Sequence, residues 1–127
     1  MSQNSYYKFD INVITHYIEA QSDPDLGRYA FSYTINIRNI GTVPAKLLSR
    51  YWLITDANGR QQEVNGLGVV GQQPHLKPGE EYVYTSGTML HTHVGAMEGS
   101  YTFIADDNHE FKEHIPAFTL SKPHTLH

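Results

Sequence analysis

Residues 28–39 read RYAFSYTINIRN and alternate strictly between two classes of side chain. Bulky apolar residues occupy every second position, and small or polar residues lie between them. The apolar set is Tyr29, Phe31, Tyr33, Ile35 and Ile37. A period of two residues indicates a β-strand with one buried face. The stretch therefore predicts an antiparallel strand that lies with one side on a hydrophobic core.

Strand patterns continue on both sides of this stretch. A strand is predicted over residues 8–21, where the apolar set changes parity between Val13 and Ile14 and indicates a bulge. Another is predicted over residues 47–56, which are apolar at both odd and even positions. That pattern favours a central strand buried on two sides.

The second half of the chain reads as further short strands joined by turns. Asn58 and Gly59 predict a two-residue type I′ hairpin turn into a strand at residues 60–64. Further strands are predicted at residues 81–86, 100–105, 109–114 and 118–120, with an acidic turn at 106–108 and Pro116 between the last two. About seven to eight strands without helical spacing predict an all-β sandwich of two antiparallel sheets.

Composition limits the function classes. The 127 residues predict one domain over residues 1–127 with loose tails at 1–5 and 123–127. Without cysteine, no disulfide, thiolate metal site or thiol nucleophile is available. We expect no membrane span and no secretory leader, hence a cytoplasmic protein. Thirteen acidic against nine basic residues disfavour nucleic acid as a partner.

The glycine-rich stretch GLGVVG at residues 66–71 has the GxGxxG spacing of nucleotide-binding loops. No helix can follow it, because two valines and the nearby prolines favour a strand end and loop. Two interpretations remain open for Gly66, Gly68 and Gly71. Their backbone amides form an anion-binding nest for pyrophosphate or a nucleotide, or the glycines let a strand bend and approach its neighbour.

Two further sets are candidates for binding. His91 and His93 flank one residue and, in a strand, would share a face and reach one divalent metal ion such as cobalt, nickel or zinc. The alternative is a pair of exposed histidines. For a protein partner, the candidate interaction surface is formed by Tyr82, Tyr84, Gln73 and His75. A homodimer through a free sheet edge is a further option.

Several ordered blocks resemble the ApaG family over nearly the whole chain. They are ArgTyrTrp at 50–52, the glycine stretch at 66–71 with Gln73-Pro74, ProGlyGluGluTyr and TyrThrSerGly within 78–87, GlyAlaMetGluGlySerTyr at 95–101, and IleProAlaPheThrLeu at 115–120. The family departs from this chain at His93, where it often has proline, which favours the surface-histidine interpretation.

The resemblance implies a sandwich of the immunoglobulin or fibronectin type III kind without enzymatic activity. It also implies an association with cobalt resistance and magnesium efflux, and protein-interaction roles for similar domains. We therefore expect a non-enzymatic protein–protein interaction module with no resident cofactor. The alternative is a sensor that binds a divalent cation or a pyrophosphate or nucleotide at the glycine-rich turn.

Overall fold

A computed structural model of the chain describes residues 6–123 and shows eight strands in two antiparallel sheets. The strands are β1 (Phe9–Tyr17), β2 (Tyr29–Asn39), β3 (Ala45–Asp56), β4 (Gln61–Leu67), β5 (His75–Leu76), β6 (Glu81–Leu90), β7 (Val94–Ala105) and β8 (Glu110–Ser121). Two 3-10 helices, Glu19–Gln21 and Pro24–Leu26, join β1 to β2. The predicted fold class is confirmed. Apart from Pro123, the tails lie outside the described residues.

The first sheet has the strand order β1-β2-β6, and the second has the order β4-β3-β7-β8 with β5 added beside β3. The alternation in β2 is confirmed, since Ile35 and Ile37 are completely buried. Between the sheets, the Trp52 ring packs edge-on against Tyr33 and Phe118. No helix in the described part of the chain is long and apolar enough to cross a membrane.

The structure of β1 differs from the sequence prediction, because it contains no bulge. It pairs with β2 in unbroken register over nine residues, so the predicted bulge near Val13 is wrong. Ile14 instead points away from the core and is 62% exposed. The parity argument assumed that every isoleucine faces inward, whereas a single apolar side chain on a solvated sheet face is tolerated.

β3 is central, as predicted, but only its inner face is fully buried. An extra residue in β3 between Leu47 and Ser49 shifts its register against β7. This bulge lets residues of opposite parity, Leu47 and Trp52, both face the core. Tyr51 is only half-buried on the outer face, so the expected burial on both sides is wrong.

The β3–β4 hairpin also differs from the predicted type I′ turn. Among the four residues 57–60 that join β3 to β4, only Gly59 has positive φ, at 82°. The Asp56 carbonyl accepts from the Gly59 amide, and the Asp56 carboxylate accepts from the amides of Asn58 and Arg60. These bonds favour a type I turn followed by a left-handed glycine.

β8 is one strand where two were predicted. Pro116 lies in a bulge, because Met97 pairs with Phe118 while Gly99 pairs with Ile115. Since β8 is an edge strand, a proline there removes no bond between strands that the sheet needs. The acidic turn before β8 is confirmed, with Asn108 at φ 70°.

The first described residues are fastened to that acidic turn. The Tyr7 hydroxyl donates to the Asp107 carboxylate at 2.5 Å, and its ring stacks on His109 with centroids 4.1 Å apart. The hydrogen bond lowers the pKa of Asp107 below its ordinary value and raises the pKa of Tyr7. Tyr7 is thereby held against the turn between β7 and β8.

Tyr7→Phe is expected to raise the pKa of Asp107 towards the ordinary aspartate value, because the carboxylate loses its hydroxyl donor. An NMR titration of the Asp107 carboxyl carbon measures this. Since the pKa in the folded state is lowered, the bond contributes stability above the ordinary aspartate pKa, and this contribution is lost as pH falls through the lowered value. Tyr6→Phe is the control, and an equal shift in both variants would contradict the assignment.

Candidate functional site

The glycine-rich stretch forms the end of β4 and a tight β-turn, which we call the glycine turn (residues 66–72). Val69 and Gln72 exchange two backbone hydrogen bonds of 2.8 Å each. Val70 and Gly71 between them have φ of 40° and 80°, which makes this a type I′ turn. No helix follows, so the amides do not lie at a helix N-terminus as in nucleotide-binding loops.

Val70 is the unusual residue of the turn. A β-branched side chain at positive φ is a steric outlier, and such strain persists only where the surroundings enforce it. The enforcement is visible, because Val69 is completely buried beside it and its amide and carbonyl are both bonded to Gln72. The Val70 side chain remains 52% exposed.

The position of Arg50 explains why the first residue of the glycine turn, Gly66, has no side chain. The bulge in β3 places Arg50 on the inner face of the second sheet, opposite Gly66 on β4. A Cβ on Gly66 would lie 2.6 Å from the Arg50 guanidinium, so the glycine makes room for it. The guanidinium donates to the carbonyls of Leu67 and Gly68 at 3.1 and 3.0 Å. Within residues 6–123 it forms no ion pair.

Two buried tyrosines, Tyr84 and Tyr101, lie close enough to Arg50 for its charge to act on their hydroxyls. Tyr84 and Tyr101 join their hydroxyls at 2.5 Å across the core. Burial raises the pKa of both phenols, and the positive charge of Arg50 acts against that rise. Both hydroxyls therefore stay neutral at physiological pH.

The amides of the glycine turn are only partly used. Gly68 N donates to the Leu48 carbonyl at 2.7 Å, and Val69 N donates to Gln72. The amides of Val70 and Gly71 have no hydrogen-bond partner among the described residues. The turn thus has two amides available as donors, while the Arg50 guanidinium is bonded to its Leu67 and Gly68 carbonyls.

One depression, the outer cleft, has a volume of about 600 Å³ and lies on the outer face of the second sheet. Hydroxyl groups, one amide, one lysine and one exposed leucine line it. The lining residues are Ser49, Arg50, Tyr51, Asn65, Gly66, Leu67, Ser100, Thr102 and Lys112. The Tyr51 hydroxyl donates to Glu63 at 2.6 Å, which raises the pKa of Tyr51. The cleft can exchange hydrogen bonds with a ligand along four strands.

The two histidines of the sequence prediction lie in a turn between β6 and β7, not in a strand. His91 contacts the Gly27 carbonyl at 3.3 Å, and the His93 ring packs edge-on against Tyr29. The shared strand face on which the metal prediction depended is therefore absent from residues 91–93. Within residues 6–123 no group of three or more His, Asp or Glu is arranged to hold a metal ion.

The predicted interaction residues do not form one surface. Tyr84 is 7% exposed and belongs to the core, so its placement at the surface was wrong, because the alternation of β6 turns it inward. Tyr82 is half-buried beside it. Gln73 is exposed and donates to the Leu48 carbonyl at 2.9 Å, while His75 on β5 pairs with Asp106 at 2.8 Å.

Sequence reasoning missed the inward orientation of Arg50, the strain at Val70 and the outer cleft. The ArgTyrTrp block at 50–52 carries the family resemblance. Which of its side chains face the core depends on the bulge at Leu48, two residues before Arg50. One signal was available, because Arg50 is a charged residue directly before the apolar run at residues 51–54. A charged residue in a central strand indicates a special environment.

The fold and the outer cleft define a small all-β sandwich domain with an open polar sheet face. A family model described as the ApaG domain matches residues 19–105. The chain belongs to the ApaG family.

Relatives named Protein ApaG align over the whole of both chains. They are 50% identical in Aromatoleum aromaticum, 53% in Thiobacillus denitrificans and 54% in Photobacterium profundum. The crystal structure of a Bordetella pertussis protein described as ApaA has a TM-score of 0.91 at 46% identity, covering 94% of this chain and 97% of that one. The X-ray structure of a structural genomics target has a TM-score of 0.90 at 47% identity, covering 98% and 92%.

Gly68→Ala is expected to lower the free energy of unfolding by about 3 kcal/mol, and Gly71→Ala by only about 1 kcal/mol. Both have left-handed backbones, but a Cβ on Gly68 would overlap the Gln72 carbonyl, whereas a Cβ on Gly71 meets open space. Urea unfolding measures the difference. Equal losses would show that backbone strain alone, and not close packing, requires these glycines.

Proposed function

We propose that this ApaG protein is a non-enzymatic binding domain and that another protein docks on the outer cleft and the glycine turn beside it. The observation that carries the proposal is the strained backbone and exposed side chain of Val70. A strained residue is held rigidly with its apolar side chain exposed, and strain of this kind is concentrated at binding and switch sites.

Leu67 strengthens the argument. Its side chain is 78% exposed, and it lines the outer cleft three residues before Val70. Protein interfaces place apolar anchors within a rim of hydrogen-bonding groups. Here Leu67 and Val70 are the anchors, and the hydroxyl and amide groups of the cleft supply the rim.

The proposal assigns the protein to the cytoplasm and makes its association with cobalt and magnesium handling indirect. The domain acts there through its partner and not by holding the cation itself. The outer cleft supports this, because its lining offers hydroxyls, an amide and Lys112, a donor set suited to peptide groups and poor for divalent cations.

Leu67→Asp is expected to weaken capture of the partner from a bacterial lysate at least about tenfold, the loss typical of an interface anchor. Proteins retained by the immobilised wild type and variant are compared by quantitative mass spectrometry. Leu26→Asp is the matched control, since Leu26 is 62% exposed but lies on the 3-10 helix Pro24–Leu26. The proposal fails if both variants retain the same proteins as the wild type.

A second candidate function, anion sensing at the glycine turn, is favoured by Arg50. Its half-buried guanidinium lies against this turn with two of its five N–H groups bonded to carbonyls. The free amides of Val70 and Gly71 are nearby in sequence. A pyrophosphate or nucleotide phosphate would combine guanidinium and amide donors there.

Thermal unfolding of the tag-free protein tests this candidate with pyrophosphate, ATP and diadenosine tetraphosphate, and with cobalt, nickel, zinc and magnesium. A ligand at a hundred times its dissociation constant adds about 2.7 kcal/mol and raises the midpoint by several degrees. Arg50→Met should abolish a shift caused by an anion, whereas Arg38→Met, in the other sheet, should preserve it. If an anion raises the unfolding midpoint of Arg50→Met as much as that of the wild type, the anion does not bind at this site.

A further inference from the structure

β1 is an edge strand whose outward backbone groups are available for pairing at Ile11, Val13 and Thr15, whereas the outward amide of Phe9 is already bonded. The Lys8 carbonyl accepts from Ile40 N, and Ile18 N donates to the Ala30 carbonyl. Even-numbered residues of this segment therefore bond to β2, and the odd-numbered ones point their N–H and C=O groups away from it. Phe9 confirms the direction, since its amide donates to the Glu113 carboxylate.

The Phe9 end of this edge is covered by the Glu113 side chain of β8, and the rest of the edge lacks the features with which proteins protect free strands. β1 contains neither proline nor lysine, and its nine pairs with β2 run without a bulge. β8, the neighbouring edge of the other sheet, carries Pro116 in a bulge and Lys112. A long, regular and unprotected edge is a template for adding another strand.

The sequence of β1 is complementary to itself when two copies run antiparallel about Val13. Asp10 then lies opposite His16 of the second copy, and Ile11 lies opposite Thr15. Phe9 lies opposite Tyr17 at the ends, but its ring is already buried in the core of its own copy, stacked on Phe103. Cross-strand acid–base and β-branched pairs are those that stabilise antiparallel sheets.

In this alignment the odd-numbered residues of β1, whose N–H and C=O groups point outward, lie opposite one another. Ile11, Val13 and Thr15 are odd-numbered, so the three central pairs are hydrogen-bonded pairs that exchange two bonds each. On the inner face the half-buried side chains of Ile11 and Val13 would be covered further. A groove of about 190 Å³ beside Phe9 and Ile11, closed on its other side by Pro116, lies where the second copy's strand would end.

β6, the other edge of the first sheet, lacks this complementarity. Antiparallel self-pairing about Thr85 would place Glu81 opposite Met89 and Val83 opposite Gly87. These pairs join a charge to an apolar side chain and leave a valine without a side-chain partner.

From these observations we infer that the protein forms a homodimer by antiparallel pairing of β1 with β1 about Val13, which joins two three-stranded sheets into one of six strands. Edge pairing alone is at the small end of the interface size scale, so the dimer is weak and depends on concentration. The surface lies on a different sheet from Leu67 and the outer cleft, so the inference is independent of the proposed function.

Sedimentation velocity of the wild-type chain tests association from about 10 µM to about 1 mM, the range appropriate to a small interface. The weight-average sedimentation coefficient is expected to rise towards that of a dimer. A coefficient that stays at the monomer value throughout would overturn the inference.

Disulfide trapping tests the register, because the chain has no cysteine of its own. Asn12 faces Ile14 of the second copy in a non-hydrogen-bonded pair, where the Cα atoms are about 4.5 Å apart and within disulfide range. A mixture of Asn12→Cys and Ile14→Cys chains is expected to give about fivefold more disulfide-linked dimer than either variant alone. In a dimer of one variant the two cysteines are diagonal neighbours about 7–8 Å apart, which is beyond disulfide range.

Val83→Cys is the matched control. Val83 is 53% exposed on the same outer face as Ile14, but it belongs to β6. Mixed with Ile14→Cys it should give only the background of random collision. All three substituted side chains point away from the core, so folding is preserved and is checked by circular dichroism. A yield for Val83→Cys equal to that of Asn12→Cys would overturn the β1 register.

Discussion

The extra residue in β3, Leu48, is the constraint on which the rest of the molecule depends. Strand alternation alone would place Leu47 and Trp52 on opposite faces, and one of them would lose its burial. The bulge between Leu47 and Ser49 reverses the alternation, so both enter the core. Burial of a large apolar side chain contributes roughly 1.5–3 kcal/mol, which outweighs a locally broken ladder.

The glycine pattern follows from the same bulge. The carbonyl of the bulge residue Leu48 accepts from Gly68 N and from Gln73 Nε2, and so fixes both sides of the glycine turn. The bulge also sets Arg50 inward, where its guanidinium occupies the space that a side chain on Gly66 would fill. A spacing that resembles a phosphate loop is thus the result of strand packing around one arginine. An anion contact would be an addition to that structural role.

The two sheets present different surfaces to solvent. The second sheet shows a polar cleft with apolar residues at one end, on strands held rigidly by the aromatic core. The first sheet has two edges, of which β1 is regular and is covered by Glu113 of β8 at its Phe9 end. The docking proposed on one sheet and the strand pairing inferred on the other would be two independent ways to bind proteins.

The sequence by itself determined the all-β class, the inward face of β2 and the acidic turn at residues 106–108, because each follows from side chains close together in the chain. Only the tertiary structure decided the position of the β3 bulge, the single strand through Pro116, the outward direction of Ile14 and the meeting of Arg50 with Gly66. These depend on which residues of distant strands lie opposite one another. That register is set by the joint packing of both sheets, and no local pattern contains it.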